Sequence, residues 1–162
     1  MRVDVEENLK RMITLADEFF AARTDPEQIS VTPRVMKRLK RIHTSTMTEK
    51  RTNKGPVAWM LVLPTTRTLM RKFVDGSISE RELLRRTPLH RSYKAIYVCS
   101  ALVLPEYRGR RIATRLLVNA VRSICRDHPI EHLFCWPFSR RGSLLAKTVA
   151  RAVSLPLLQR TA

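Results

Sequence analysis

Acidic side chains are scarce in this sequence: 14 Asp and Glu stand against 31 Lys and Arg in 162 residues, a formal net charge of +17. The deficit is uneven. Residues 1–30 carry 4 basic and 7 acidic side chains, whereas residues 31–162 carry 27 and 7. Such a surface attracts polyanions, nucleic acid and anionic membranes among them, and the same charge also serves plain solubility. Cysteine is scarce too. Cys99, Cys125 and Cys135 are odd in number, far apart and set in apolar segments, which excludes a disulfide framework and leaves reduced core residues. No run of 18 apolar residues and no N-terminal charged-then-apolar signal is present, so a soluble cytoplasmic protein is expected. Repeats, low-complexity tracts and long linkers are also missing. With 44% hydrophobic residues, the chain is expected to form one domain over 1–162.

What is present alternates between helical and strand patterns. Asp4 to Arg23 reads as a helix with Leu9, Ile13, Ala16 and Phe20 beside Met12, Leu15 and Phe19 on its apolar side, stopped by Thr24-Asp25-Pro26. A short helix follows from Pro33 to Ile42, capped by Thr32, with Val35, Met36 and Leu39 inward. Its other face, Arg34, Lys37, Arg38, Lys40 and Arg41, is either solvated surface or a polyanion contact. His43 to Lys50 is either a strand or a continuation of the helix; as a strand it forms a hairpin with Val57 to Leu63 around Arg51–Gly55, with Pro64 as its end. Between Thr65 and Arg91 two short helices are expected, one through Leu69, Met70 and Phe73, the other opened by Ser79-x-x-Glu82.

The stretch from Ala95 to Arg126 organises the rest. Ala95 to Leu104 is a mostly apolar, strand-forming run bounded by Pro105. Tyr107-Arg108-Gly109-Arg110-Arg111 is a basic turn. The helix after it has Ile112, Leu116, Ala120 and Ile124 beside Ala113, Leu117, Val121 and Cys125, a stripe about 100° wide, with Val118 outside it. A strand, a tight turn and a helix make a phosphate-binding geometry, because the first helical amides lack intrahelical partners and the dipole adds positive potential. An ordinary strand-to-helix connection has the same pattern. Leu133 to Phe138 is a further buried strand. Ser139 or Ser143 opens a last helix from Leu144 to about Ser154, and Leu157 to Ala162 forms a short strand or nothing.

The run LVLPEYRGRRIATRLL resembles motif A of the GCN5-related N-acetyltransferases, Arg/Gln-x-x-Gly-x-Gly/Ala after a strand ending near proline. Its six positions fall on Arg108, Gly109, Arg110, Arg111, Ile112 and Ala113. Arg111 departs from the pattern, which has glycine there; it either points outward and supplies charge or partly blocks the site. The resemblance implies an α+β fold, a central mixed sheet flanked by helices; the helical insert at residues 65–91 departs from it and is either a lid or acceptor-binding wall or plain cover for the sheet. It also implies acetyl-CoA as acyl donor and a primary amine as acceptor. The central strand would splay from its neighbour after Leu104, and pantetheine would pair with backbone around Leu102, Val103 and Leu104. The amides from Gly109 to Thr114 would hold the pyrophosphate, and the Val103 N–H would receive the developing oxyanion.

The acid and base are poorly marked. Where that family often has a carboxylate on the central strand, this chain has Cys99 and Ser100, and the last helix has no tyrosine. Glu49 is the first candidate base, followed by His43 and Glu106; Ser139 and Ser143 fall where a polar side chain often meets the thiolate. Cys99 in an apolar strand reads as packing rather than a nucleophile. His132 and Cys135, three apart on a strand, face opposite sides, and no metal site is expected. The basic composition favours an amine carried on an anionic scaffold. A relative that has lost catalysis and binds nucleic acid, or an acyltransferase using a longer acyl-CoA or an acyl carrier protein, fits the same residues.

Overall fold

Five runs of β-forming residues pair into one mixed sheet whose spatial order follows the chain. The computed structural model describes residues 2–23 and 28–161, apart from the side chains at 2–6, 20, 22 and 23. The proposed stop at Thr24-Asp25-Pro26 and the side chain of Phe20 therefore lie outside the described residues. Strands β1 (Met47–Thr52), β2 (Gly55–Thr65) and β3 (Ala95–Val103) are antiparallel, and β3, β4 (His132–Cys135) and β5 (Leu157–Gln159) are parallel. Helices α1 (Arg2–Arg23), α2 (Pro33–Ile42), α3 (Arg67–Val74) and α4 (Glu80–Arg86) cover one face; α5 (Ile112–Asp127) and α6 (Arg140–Val153) cover the other. The expected α+β architecture is the observed one.

The local capping rules hold. Thr32, Thr66 and Ser79 each accept a hydrogen bond from the amide three residues on, at 3.1–3.2 Å, and start α2, α3 and α4; of the two adjacent threonines able to cap α3, Thr65 and Thr66, it is Thr66 that does so. Ser139, not Ser143, caps α6, accepting from the Gly142 amide at 3.0 Å. Residues 43–46 are not strand. Thr46 is buried and donates its hydroxyl toward the carbonyls of Leu39 and His43, so the chain turns before β1 begins. Pro64 does not end β2. Val62 donates to Thr46 O, but β1 does not reach beyond that point, so the missing N–H of Pro64 faces no strand partner.

Packing corrects three helical faces. On α1 the inward residue is Met12, with Leu15, Ala16 and Phe19 half-buried, whereas Leu9 and Ile13 are exposed. Two adjacent apolar rows were available, and the small patch of Val57, Leu102 and Leu104 beneath the helix takes one of them. On α2, Leu39 and Ile42 are buried but Met36 is exposed. On α5, Val118 is buried and Cys125 exposed, because the helix packs on both the sheet and α6 and its buried sector is wider than one stripe.

Candidate functional site

The parallel seam between β3 and β4 holds only three residue pairs, Ala95–His132, Ile96–Leu133 and Tyr97–Phe134. Beyond Tyr97 the strands part, well before Leu104, where the divergence was expected. A β-bulge lies at the same place. Leu61 pairs with Ser100 and Val62 with Val98, leaving Cys99 as the extra residue on β3. The added residue bends the strand where it leaves its neighbour.

Two adjoining cavities occupy the opening. The inner one, about 200 Å³, runs between Val98–Ala101 and Cys135–Ser139, with Leu117, Leu145 and Ala146 as its apolar floor. The outer one, about 690 Å³, lies between Ala101–Val103, Arg108, Gly109 and Arg141, with Glu18 and Phe19 of α1 on its far side. Phe19, Ala101 and Arg141 line both, so they form one groove of the size usual for small-molecule sites.

Hydrogen-bond direction decides which backbone groups face that groove. Leu104 donates its N–H to Val57 O on β2. Strand alternation therefore turns the amide and carbonyl of Leu102 toward β2 and those of Ala101 and Val103 toward the groove. Arg108 Nε confirms the direction by donating to Val103 O at 3.1 Å. Of the three residues expected to pair with an extended ligand, only Val103 presents its backbone there.

The loop ahead of α5 is wound tightly. Gly109 has φ +78° and Arg111 has φ +59°, so both lie in left-handed backbone space. The position where the acetyltransferase pattern has glycine is thus one where glycine relieves strain of roughly 1–2 kcal/mol. Arg111 adopts that conformation nonetheless, is exposed, and lines neither cavity. Arg115 reaches back to hold the loop, donating from Nη2 to Arg110 O at 2.7 Å and from Nε to Arg111 O at 3.5 Å. Arg110 lies over the Tyr107 ring, 5.1 Å from its centroid. No side chain caps α5, and its first intrahelical bond is the one from Arg115 N to Arg111 O. The amides of Ile112, Ala113 and Thr114 are those that helix geometry leaves without an intrahelical acceptor. Arg108, Arg110 and Arg111 all belong to the loop that leads into these amides and are exposed. A Cβ built on Gly109 meets nothing within 4 Å, so the approach to this loop is open.

Several sequence candidates fall elsewhere. Glu49 is on β1, two strands from the groove, accepting from Arg51 Nη1 at 2.9 Å and Trp59 Nε1 at 3.0 Å. His43 is buried at the end of α2, with Nε2 2.7 Å from Asp127 Oδ2 and Nδ1 accepting from Ser45 N. Glu106 is exposed and bonded to Arg11 at 2.6 and 2.8 Å, a contact that holds its pKa down to about 2 and leaves it a poor base. Ser139 lines the inner cavity; Ser143 sits inside α6 and accepts from Gln159 Nε2. Cys135 is buried, and burial pushes its thiol up to about 11.

Sequence reasoning missed two carboxylates, Glu18 on the wall of the outer cavity and Glu80 on the insert. Glu80 opens α4 and is fully buried. It accepts from Ile29 N at 3.0 Å and Tyr97 Oη at 2.5 Å, and Cys99 Sγ lies 3.9 Å from Oε2. The insert thus places a carboxylate directly behind the bulge on the central strand. Trp136 and Phe138, with ring centroids 4.9 Å apart, wall the other side of the inner cavity. Arg160 stacks on Trp136 at 3.8 Å and donates to Ile78 O, which fastens β5 to the insert.

Among the described residues no group of three His, Cys, Asp or Glu is placed to hold a metal, and no helix is long and apolar enough to cross a membrane. No family model and no curated protein matches the chain, so its functional reading rests on the residues and geometry above.

Proposed function

We propose that this chain is an acetyl-CoA-dependent N-acetyltransferase with the GCN5-related fold. The observation that carries the reading is the parting of β3 from β4 beside a helix start that no side chain caps and that an arginine-rich loop leads into. The donor supplies an activated thioester, and an amine attacks its carbonyl directly. The Gly109–Thr114 amides, with Arg108 and Arg110, hold the diphosphate, and Arg111 adds charge from outside the loop. Val103 N–H faces the groove and receives the negative charge that develops on the carbonyl oxygen. Ser139, the N-cap of α6, lines the inner cavity and is the hydroxyl assigned to meet the departing thiolate. Glu80, set behind Cys99, replaces Glu49 as the group toward which the amine proton moves. The proton travels by way of the Cys99 thiol, which lies 3.9 Å from Glu80 and lines the inner cavity, and the departing thiolate takes its proton from solvent.

Calorimetric titration with acetyl-CoA, coenzyme A and a longer acyl-CoA tests the donor site. Saturable binding of acetyl-CoA and coenzyme A is expected, weakened at least tenfold by Gly109→Val, which places a β-branched residue at φ +78°. Preference for the longer acyl-CoA moves the donor class. An absence of binding at millimolar ligand, or unchanged affinity in the folded Gly109→Val variant, overturns the assignment.

A further inference from the structure

Part of the excess positive charge gathers on α2 and α4. No acidic residue after position 31 is in a described ion pair with Arg34, Lys37 or Arg41. Among the basic residues of α2, Arg38 turns inward. It donates from Nε to Leu84 O at 3.1 Å and from Nη2 to Arg85 O and Thr87 O at 2.9 and 2.6 Å. This fork of bonds fixes α2 against the C-terminal end of α4. Arg34, Lys37 and Arg41 lie on one helical row beside it, exposed and in no described ion pair, with exposed Arg85 of α4 alongside. The row from Arg34 to Arg41 rises about 10 Å along the helix axis. Acidic α1 does not answer it: α1 packs over Val57, while Leu39 and Ile42 of α2 pack with Leu61 and Leu63 further along β2.

We propose that this α2–α4 ridge binds the phosphate backbone of nucleic acid without reading its sequence. Arginine-rich, rigidly mounted cations suit phosphate oxygens, and binding to them releases counterions. A membrane surface is the poorer occupant, because α2 buries Leu39 and Ile42 in the core and offers no aromatic side chain to insert between lipids. The ridge does not depend on the acetyl-transfer reading, since it lies on different elements from the groove.

The test is fluorescence anisotropy of the whole protein with a labelled 25-base-pair duplex over a salt series. The triple variant Arg34→Glu, Lys37→Glu, Arg41→Glu is expected to lose at least tenfold in affinity and to flatten the slope of log K against log salt by about 3. A variant with the same change in charge on the opposite face, Arg122→Glu, Lys147→Glu, Arg151→Glu, is expected to lose less than threefold. Circular dichroism checks that both are folded. Equal losses in the two variants would reduce the effect to overall charge and overturn the ridge. So would failure of the wild type to bind the duplex, or tighter binding to vesicles of one-third phosphatidylserine than to the duplex.

Discussion

Along its β2 edge, β3 is paired from Ala95 to Val103, interrupted once by the Cys99 bulge; along its β4 edge, pairing stops at Tyr97. The same strand is therefore core on one side and the wall of an open groove on the other. Backbone groups without a strand partner need some other partner. Arg108 satisfies Val103 O, and the remaining groups on that edge face a cavity. The difference teaches that the groove is built by withholding a strand, with the bulge and the divergence starting within two residues of each other.

Truncation on either side of the point where the strands part should expose this difference most strongly. Phe134 is fully buried opposite Tyr97, with ring centroids 5.2 Å apart in the last closed pair. Phe134→Ala should cost about 3–5 kcal/mol in urea unfolding. Val103→Ala, half-buried on the open edge, should cost about 1 kcal/mol. Equal losses would mean that the open segment is packed like the core. A smaller effect is expected at the loop. Arg111→Gly should raise stability by roughly 0.5–1 kcal/mol, the relief of left-handed strain less the extra freedom glycine gives the unfolded chain. A fall in stability would show that Arg111 is not strained there.

The smallest effect is electrostatic and depends on pH. Arg11 lowers the folded pKa of Glu106 below its ordinary value of 4.5, to about 2. A depressed carboxylate stabilises the fold fully above its unfolded pKa and loses that contribution as pH falls through the folded one. Wild type should therefore exceed Glu106→Gln in melting temperature by a constant margin between pH 5 and 7, narrowing from about pH 4.5 downward. A margin unchanged at pH 3 would remove Arg11 as the cause.

Local rules made much of this fold legible. Thr32, Thr66 and Ser79 cap helices by bonds that reach three residues, so the sequence alone carries them, and the basic turn before α5 announces itself by composition. The rest depends on neighbours distant in sequence. Leu9 and Met12 have similar side chains, and only the size of the patch under α1 separates them. The bulge at Cys99 has no glycine or proline to mark it. Glu80 reads as the first residue of a capped helix, and its burial follows from where the insert lands on β3, with Tyr97 and Ile29 as partners. Glu49 looked favourable because it ends a strand, but the groove opens between two other strands.

The outer margins of the sheet add one consequence. Strand β1 carries exposed Glu49, Lys50 and Arg51, a mixed row of charges that discourages another chain from annealing to it, and β5 is only three residues long and gives way to Arg160. Copies of the protein are thus kept from adding strands to one another at the periphery. The unpaired edge of β3 sits in the middle of the sheet instead, along a groove walled by α1 and the start of α6.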